Sequence, residues 1–366
     1  MYNGILPHTG TSSRRTFLKH ISAGIAGLTA VSLSRPQSAG ALFGSNEDSA
    51  VSFVTSTDQR EASFQALKPL EKDIRNVIKD KQVVIKINSG QVAKDVWLNA
   101  TDSNFVRGIL DFLKPIYPQT VIVAESTAAG PTKEGLLSTK DGFSNYGYLP
   151  LEREFNVKLV DLNDEPTTTK WILDENHHPK AINIINTFLD PNVYMISATR
   201  LKAHNCVIAT LSLKNVAMAA PINHYKQQSR EGRNEKPYMH SGGNRGLSYN
   251  IFLLAGMGVR PDLAVLDGVV GMEGNGPVRG TAIEQGVCVA STDWVAADRI
   301  GVELMGINYR EVKYLQWCAN AGMGNDDLSR IKVIGPDYTK HVVTYKMHDN
   351  IEQQRQWLIE DFGDKL

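Results

Sequence analysis

The chain has 366 residues, and its 39 basic side chains balance 39 acidic ones to a formal charge of zero. Such a balance offers no basic face, which argues against nucleic acid as a partner. Three cysteines, Cys206, Cys288 and Cys318, make an odd count with no close pair; they allow one disulfide at most and exclude the spacing of a zinc or iron–sulfur site.

Ser13-Arg14-Arg15-Thr16-Phe17-Leu18-Lys19 sets paired arginines ahead of an apolar run, Ile21 to Leu33, rich in Ala and Gly. Ala39-Gly40-Ala41 then supplies a small-x-small cleavage site. In that order the three elements predict a twin-arginine signal over residues 1–41. The apolar run is too short and too weakly hydrophobic for a membrane span, which takes roughly 20 apolar residues. The expected partner in export is the twin-arginine translocase, and the expected location is the periplasm, with no stable membrane span in the mature part. Removing residues 1–41 deletes Arg14, Arg15, Lys19 and Arg35 but no acid, leaving 35 basic against 39 acidic residues and a charge of −4. Residues 42–50 read as a polar linker, 51–340 as an α/β domain, and 341–366 as a C-terminal tail with a short helix.

Past the linker, apolar β-branched runs alternate with helical patterns. Val83 to Ile87 predicts a strand, and Asp102 caps a helix carrying Phe105, Ile109, Phe112 and Leu113 on one face. Val121 to Ala124 predicts a second strand ending in Glu125-Ser126, and Val157 to Val160 a third ending at Asp161. Trp171 to Phe188 alternates like a hairpin, with His177-His178-Pro179 as its surface turn. Val193 to Ser197 and Leu263 to Leu266 complete the predicted core strands. Short strands alternating with helices imply an α/β fold: a mainly parallel sheet with helices on both faces and an inserted β-hairpin. Several strands end in polar residues (Lys86 and Asn88, Glu125, Asp161, Arg200 and Lys202, Asp267), and open α/β sheets place ligands at the carboxyl ends of their strands.

Three segments concentrate reactive side chains. Arg200-Leu201-Lys202-Ala203-His204-Asn205-Cys206 precedes Ser212-Leu213-Lys214-Asn215, and the apolar spacing from His204 through Leu213 predicts a core helix opening near His204. Lys202 and His204 would then stand at its N-terminus, where free N–H groups favour an anion. Lys214, flanked by apolar residues, is either snorkelling or held in a pocket. The polar stretch Asn223 to Arg245 contains His224, Tyr225, Lys226, Arg230, Arg233 and His240, and a loop that long is usually functional or disordered. Asp267 to Gly280 reads as a glycine-rich loop in which Asp267 and Glu273 are the candidate ligands of a divalent metal ion, or else serve as acid and base. Asp293 predicts an N-cap, and Asp298 on the following helix is placed to reach the cleft. Cys206 reads as packing.

At these segments the chain resembles the domain-of-unknown-function 362 family. The resemblance lies in Lys86-Ile87-Asn88, Arg200-Leu201-Lys202-Ala203-His204, Ser212-Leu213-Lys214-Asn215, His240, Asp267-Gly268, Glu273-Gly274-Asn275-Gly276-Pro277, Asp293 to Asp298 and Leu304-Met305-Gly306. It implies no settled reaction. Many members carry ferredoxin-type cysteine clusters, and this chain departs from them, so no iron–sulfur cluster is expected. The function expected is an exported enzyme with a polar, metal-dependent cleft acting on a small anionic substrate. Lys202, His204, Lys214, Asn215 and His240 are its catalytic candidates, and Asn88, Glu125 and Asn275 its cofactor-binding candidates. The alternatives are a non-catalytic periplasmic binding protein, or an accessory or maturation protein for a redox enzyme.

Overall fold

The computed structural model describes residues 48–128, 131–132, 135–224 and 233–363. The twin-arginine segment, most of the expected linker, and Tyr225, Lys226 and Arg230 lie outside the described residues. The principal strands are β1 (Ser49–Thr55), β2 (Gln82–Lys86), β3 (Val121–Glu125), β4 (Val157–Asp161), β5 (Thr167–Leu173), β6 (Pro179–Ile185), β7 (Val193–Ala203), β8 (Ala209–Thr210), β9 (Leu263–Glu273), β10 (Thr281–Ser291) and β11 (Ile331–Ile334). Among the helices are α1 (Gln59–Leu67), α2 (Glu71–Ile78), α3 (Ser103–Leu113), α4 (Ser212–Ala219), α5 (Gly243–Gly256), α6 (Trp294–Leu304), α7 (Lys313–Asn320) and α8 (Ile351–Phe362).

Successive side chains of a strand face opposite sides of its sheet, and here both sides are apolar. Val83, Ile85, Leu263, Val265, Cys288 and Ala290 pack with α1, α2 and α3. Their neighbours Val84, Ala264, Leu266, Val287 and Val289 pack with α4, α5, α6 and α7. A sheet buried on both faces needs near-continuous apolar strands rather than alternating ones, which is the pattern of these runs.

The large sheet has the order β11-β1-β10-β9-β7-β2-β3-β4, with β8 paired to β7. Parallel pairing joins β9, β7, β2, β3 and β4, and also β1 with β11, whereas β10 runs antiparallel to both its neighbours. It is a mainly parallel mixed sheet covered on both faces. The hairpin β5–β6 is inserted before β7 and buries Ile172, Ile182 and Ile184; His177 at its turn takes φ 59°.

Three local expectations are corrected. The strand from Val193 continues to Ala203, so Lys202 lies inside it; residues 204–208 form a turn, and the helix opens at Ser212, not at His204. Its start is set by a side chain distant in sequence: buried Asp298 accepts the N–H of Ser212 (2.8 Å) and of Leu213 (3.1 Å). Asp298 therefore caps α4 instead of reaching a cleft. The glycine-rich segment after Asp267 is mostly strand, because β9 runs on to Glu273 in register with β10, with a bulge between Gly268 and Val270. Gly271 lies there because a Cβ would meet Tyr345 Oη at 2.1 Å. Finally, β1 begins at Ser49, inside the expected linker.

Candidate functional site

From β2 the chain steps outward through β3 to β4, then returns to lay β7 on the opposite side of β2. Such a reversal leaves a crevice at the carboxyl ends of the strands. A cleft of about 530 Å³ opens there, walled by Lys86 and Asn88 at the end of β2, Glu125 and Ser126 at the end of β3, and Lys202 and His204 at the end of β7. Lys214 and Asn215 enter from the first turn of α4, and Lys236 and His240 close the far side. Met218, Ala219, Pro277 and Val278 add an apolar wall.

Asn215 fixes the floor with all its hydrogen-bonding capacity in use. Its Oδ1 accepts from Lys86 Nζ and Asn88 Nδ2, both at 2.9 Å, while its Nδ2 donates to Lys86 O (3.1 Å) and Ser197 Oγ (3.0 Å). Lys86 also forms an ion pair with Glu125 at 2.6 Å, with both side chains buried. Lys202 donates to Asn99 O at 2.6 Å and to Asn88 Oδ1. Lys236 donates to Ser126 Oγ (2.9 Å) and to the carbonyls of Ala219 (2.7 Å) and Pro221 (2.8 Å).

Lys214 differs from these three. It is 7% exposed, lines the cleft, and has no hydrogen bond or ion pair among the described residues. The buried Thr210 Oγ1, also in the cleft lining and paired with Lys202 across adjacent strands, is likewise without a partner among the described residues. A buried polar group normally finds one.

Among the described residues, four lysines thus face one carboxylate in the cleft, Glu125. Burial, the largest influence on each, lowers the Lys86 and Lys202 ammonium groups, brings Lys214 down to about 8 and Lys236 to about 7. Lys202 is lowered further by Lys214 and Arg200; for Lys214 the Cys206 thiol opposes the shift and Lys86 adds to it. Burial first and the Lys214 charge second also push His204 well below the usual histidine range. The same two causes bring His240 to about 4, although its side chain reaches solvent at the cleft mouth; both imidazoles are neutral at pH 7. His204 Nδ1 accepts the N–H of Cys206 at 3.0 Å, so its single proton sits on Nε2, which is a donor.

The turn carrying His204 is held from outside the sheet. Gln354 of α8, itself buried, donates through Nε2 to His204 O (2.9 Å) and accepts the Ile208 N–H through Oε1 (2.9 Å). Asn350 Nδ2 donates to Asn205 O at 2.9 Å. Ile208 is held at φ 68°, in the left-handed region that a β-branched residue rarely enters.

Of the residues singled out from sequence, Asn88, Glu125, Lys202, His204, Lys214, Asn215 and His240 line this one cleft. Asn275 does not; it bonds Asp349 through Nδ2 (2.8 Å) and Oδ1 (3.1 Å). Asp267 is fully buried, accepting the Val269 N–H at 3.0 Å, with Oδ2 3.7 Å from Arg200 Nη1. Burial raises this carboxyl to about 6, against the opposing effect of Arg200. Glu273 accepts the Lys346 N–H at 2.9 Å. Six residues apart on one strand, Asp267 and Glu273 are separated by ~20 Å at the rise of an extended chain, so they do not form the expected metal pair. No group of three or more His, Cys, Asp or Glu gathers as a metal site among the described residues. Sequence reasoning missed Lys236, Asn99 and Thr210. Lys236 sits in a polar loop, where nothing local marks it as buried.

Among curated proteins, the chain is similar to a thylakoid-associated protein of Synechocystis, 26% identical over 165 residues. The match covers 45% of this chain and 46% of that protein, so the chain spans about half the length of the relative it matches. No solved structure matches. The family described as a domain of unknown function, DUF362, matches residues 83–303, which contain every described residue lining the cleft and more than half of the sequence. The chain belongs to the DUF362 family.

Proposed function

We propose that this chain is an exported enzyme that binds a small anionic substrate in the lysine-lined cleft. The observation that carries the proposal is Lys214, a buried cation lining the cleft that has no counter-ion among the described residues. An uncompensated buried charge is expensive, and a carboxylate or phosphate between Lys214 and Lys202 would offset it. Thr210 Oγ1 and the Nε2–H of His204 would donate to the same anion. His240 at the mouth would exchange protons with solvent. Asp267 and Glu273 are engaged elsewhere, so the positive charge that draws the substrate comes from the lysines.

Export and periplasmic residence rest on residues 1–41 alone, where the paired arginines, apolar run and cleavage site stand in order. Among the described residues, no helix is long and apolar enough to cross a membrane.

Calorimetric titration with inorganic phosphate, malonate and citrate tests the anion site. At least one should bind saturably to the wild type and at least tenfold more weakly to Lys214→Met and Lys202→Met variants that still fold. Equal binding by all three proteins would overturn the proposal.

A further inference from the structure

On the basis of that anion site, we infer that Lys214 is a nucleophile that forms an imine with the carbonyl carbon of a small oxo acid. Three observations set Lys214 apart from the other cleft lysines. Lys86 is neutralised by Glu125, Lys202 already donates to Asn88 and Asn99 and keeps one further N–H, and Lys236 donates to Ser126 and three main-chain carbonyls. Lys214 alone of these four has no partner among the described residues, and it is buried in the lining of the cleft. Burial lowers the Lys214 ammonium, Cys206 opposes this, and the nearby Lys86 adds to it; burial beside a like charge is a recognised route to a nucleophilic lysine. A group near 8 leaves on the order of a tenth of Lys214 as free amine at pH 7, whereas an ordinary lysine at ~10.4 leaves less than one part in 10³.

The rest of the cleft fits a ligand carrying both a carboxylate and a carbonyl. Lys202 stands at the end of β7 for the carboxylate, and Met218 and Val278 offer apolar surface to a short carbon chain. In the reaction the neutral Nζ attacks the carbonyl carbon, the C–O π bond opens, and a proton moves from nitrogen to oxygen to give a carbinolamine. Loss of that hydroxyl with a proton as water forms the C=N bond. Ketone plus amine becomes imine plus water, and no oxidant or reductant is consumed. The Nε2–H of His204 is a donor for the carbinolamine oxygen, and His240 at the mouth is placed to pass protons to solvent.

Reductive trapping tests the inference. The folded protein is incubated with pyruvate, and separately with 2-oxoglutarate, in the presence of cyanoborohydride. Intact mass and peptide mapping then locate the adduct. We expect one reduced oxo-acid adduct per chain, on Lys214, formed at least tenfold faster than on any exposed lysine. Lys214→Arg keeps the positive charge but lacks the nucleophile, so it should still bind phosphate while losing the adduct. If phosphate binds through Lys214 but neither oxo acid is trapped there, the imine falls and the anion site stands. Adducts spread evenly over surface lysines, or unchanged in the Lys214→Arg variant, would also overturn the inference.

Discussion

Replacing single side chains in the cleft should separate charge from packing. Lys214 is lowered to about 8 in the folded protein, from ~10.4 in the unfolded chain. Between these values the unfolded chain binds more protons, so this group makes stability rise with pH across pH 8–10, and its penalty is fully present below pH 8. The slope reaches about 1.4 kcal/mol per pH unit for one such group. Lys214→Met should therefore be more stable than wild type at pH 7, with the gap closing toward pH 10. Urea unfolding of both proteins at pH 7, 8.5 and 10 checks this, and the difference between them isolates Lys214 from other groups that titrate in the range. A variant less stable at pH 7 would mean that the ammonium has a partner after all. The same shift implies that an anion bound at Lys214 raises its affinity for protons. Phosphate binding at pH 8.5 should then take up protons, read as a dependence of the calorimetric heat on buffer ionisation enthalpy.

At the level of elements, the site depends on how α4 is started and on how closely the helices approach the sheet. Asp298 of α6 holds the first two N–H groups of α4, two residues before Lys214. Asp298→Ala leaves both donors buried and unpaired and should cost about 2–4 kcal/mol. Phosphate affinity should fall with it, since the same turn aims Lys214. On the other face, α1 and α3 cross at Gly108, where a Cβ would lie 2.0 Å from Arg60 O. Main chain cannot give way there as a flexible side chain would, so Gly108→Ala should destabilise by about 1–3 kcal/mol while leaving the distant cleft able to bind phosphate. Elements of this kind were legible in sequence wherever one local signal sufficed. Buried β-branched runs marked β2, β3, β4, β7 and β9, and Asp102 and Asp293 were readable as caps, each accepting a main-chain N–H at the predicted helix start. What failed needed knowledge of distant partners. The apolar spacing from His204 to Leu213 satisfies a helical period, but it folds as a turn and a two-residue strand because Gln354 and Asp298 claim its N–H groups. Glycines after Asp267 resemble a loop, yet Gly271 is small because Tyr345 crosses over it. The cleft lysines could be guessed since strand ends point at the crevice, whereas Lys236 is brought in by a loop that carries no period at all.

For the whole molecule, Cys206, Cys288 and Cys318 are free thiols, and burial raises all three above the usual thiol range. Thermal melting should accordingly be the same with and without dithiothreitol; a clear drop in reductant would reveal a bridge. Export is checked by Arg14→Lys with Arg15→Lys, which should strand the chain in the cytoplasm because the translocase reads the paired guanidinium groups. The family match ends at residue 303, but the support of the site does not, because Asn350 and Gln354 hold the turn that carries His204. Gln354 grips both sides of the turn that holds Ile208 in its unfavourable backbone region, which stores on the order of 1 kcal/mol of strain. Docking of α8 and occupancy of the cleft are therefore two readings of one equilibrium. By reciprocity, whatever free energy the docked helix lends to an anion held by His204, the anion returns to the helix. Amide exchange across residues 351–362, far from any contact with ligand, should slow when phosphate is added, and by the same factor that loss of the Gln354 grip weakens phosphate binding.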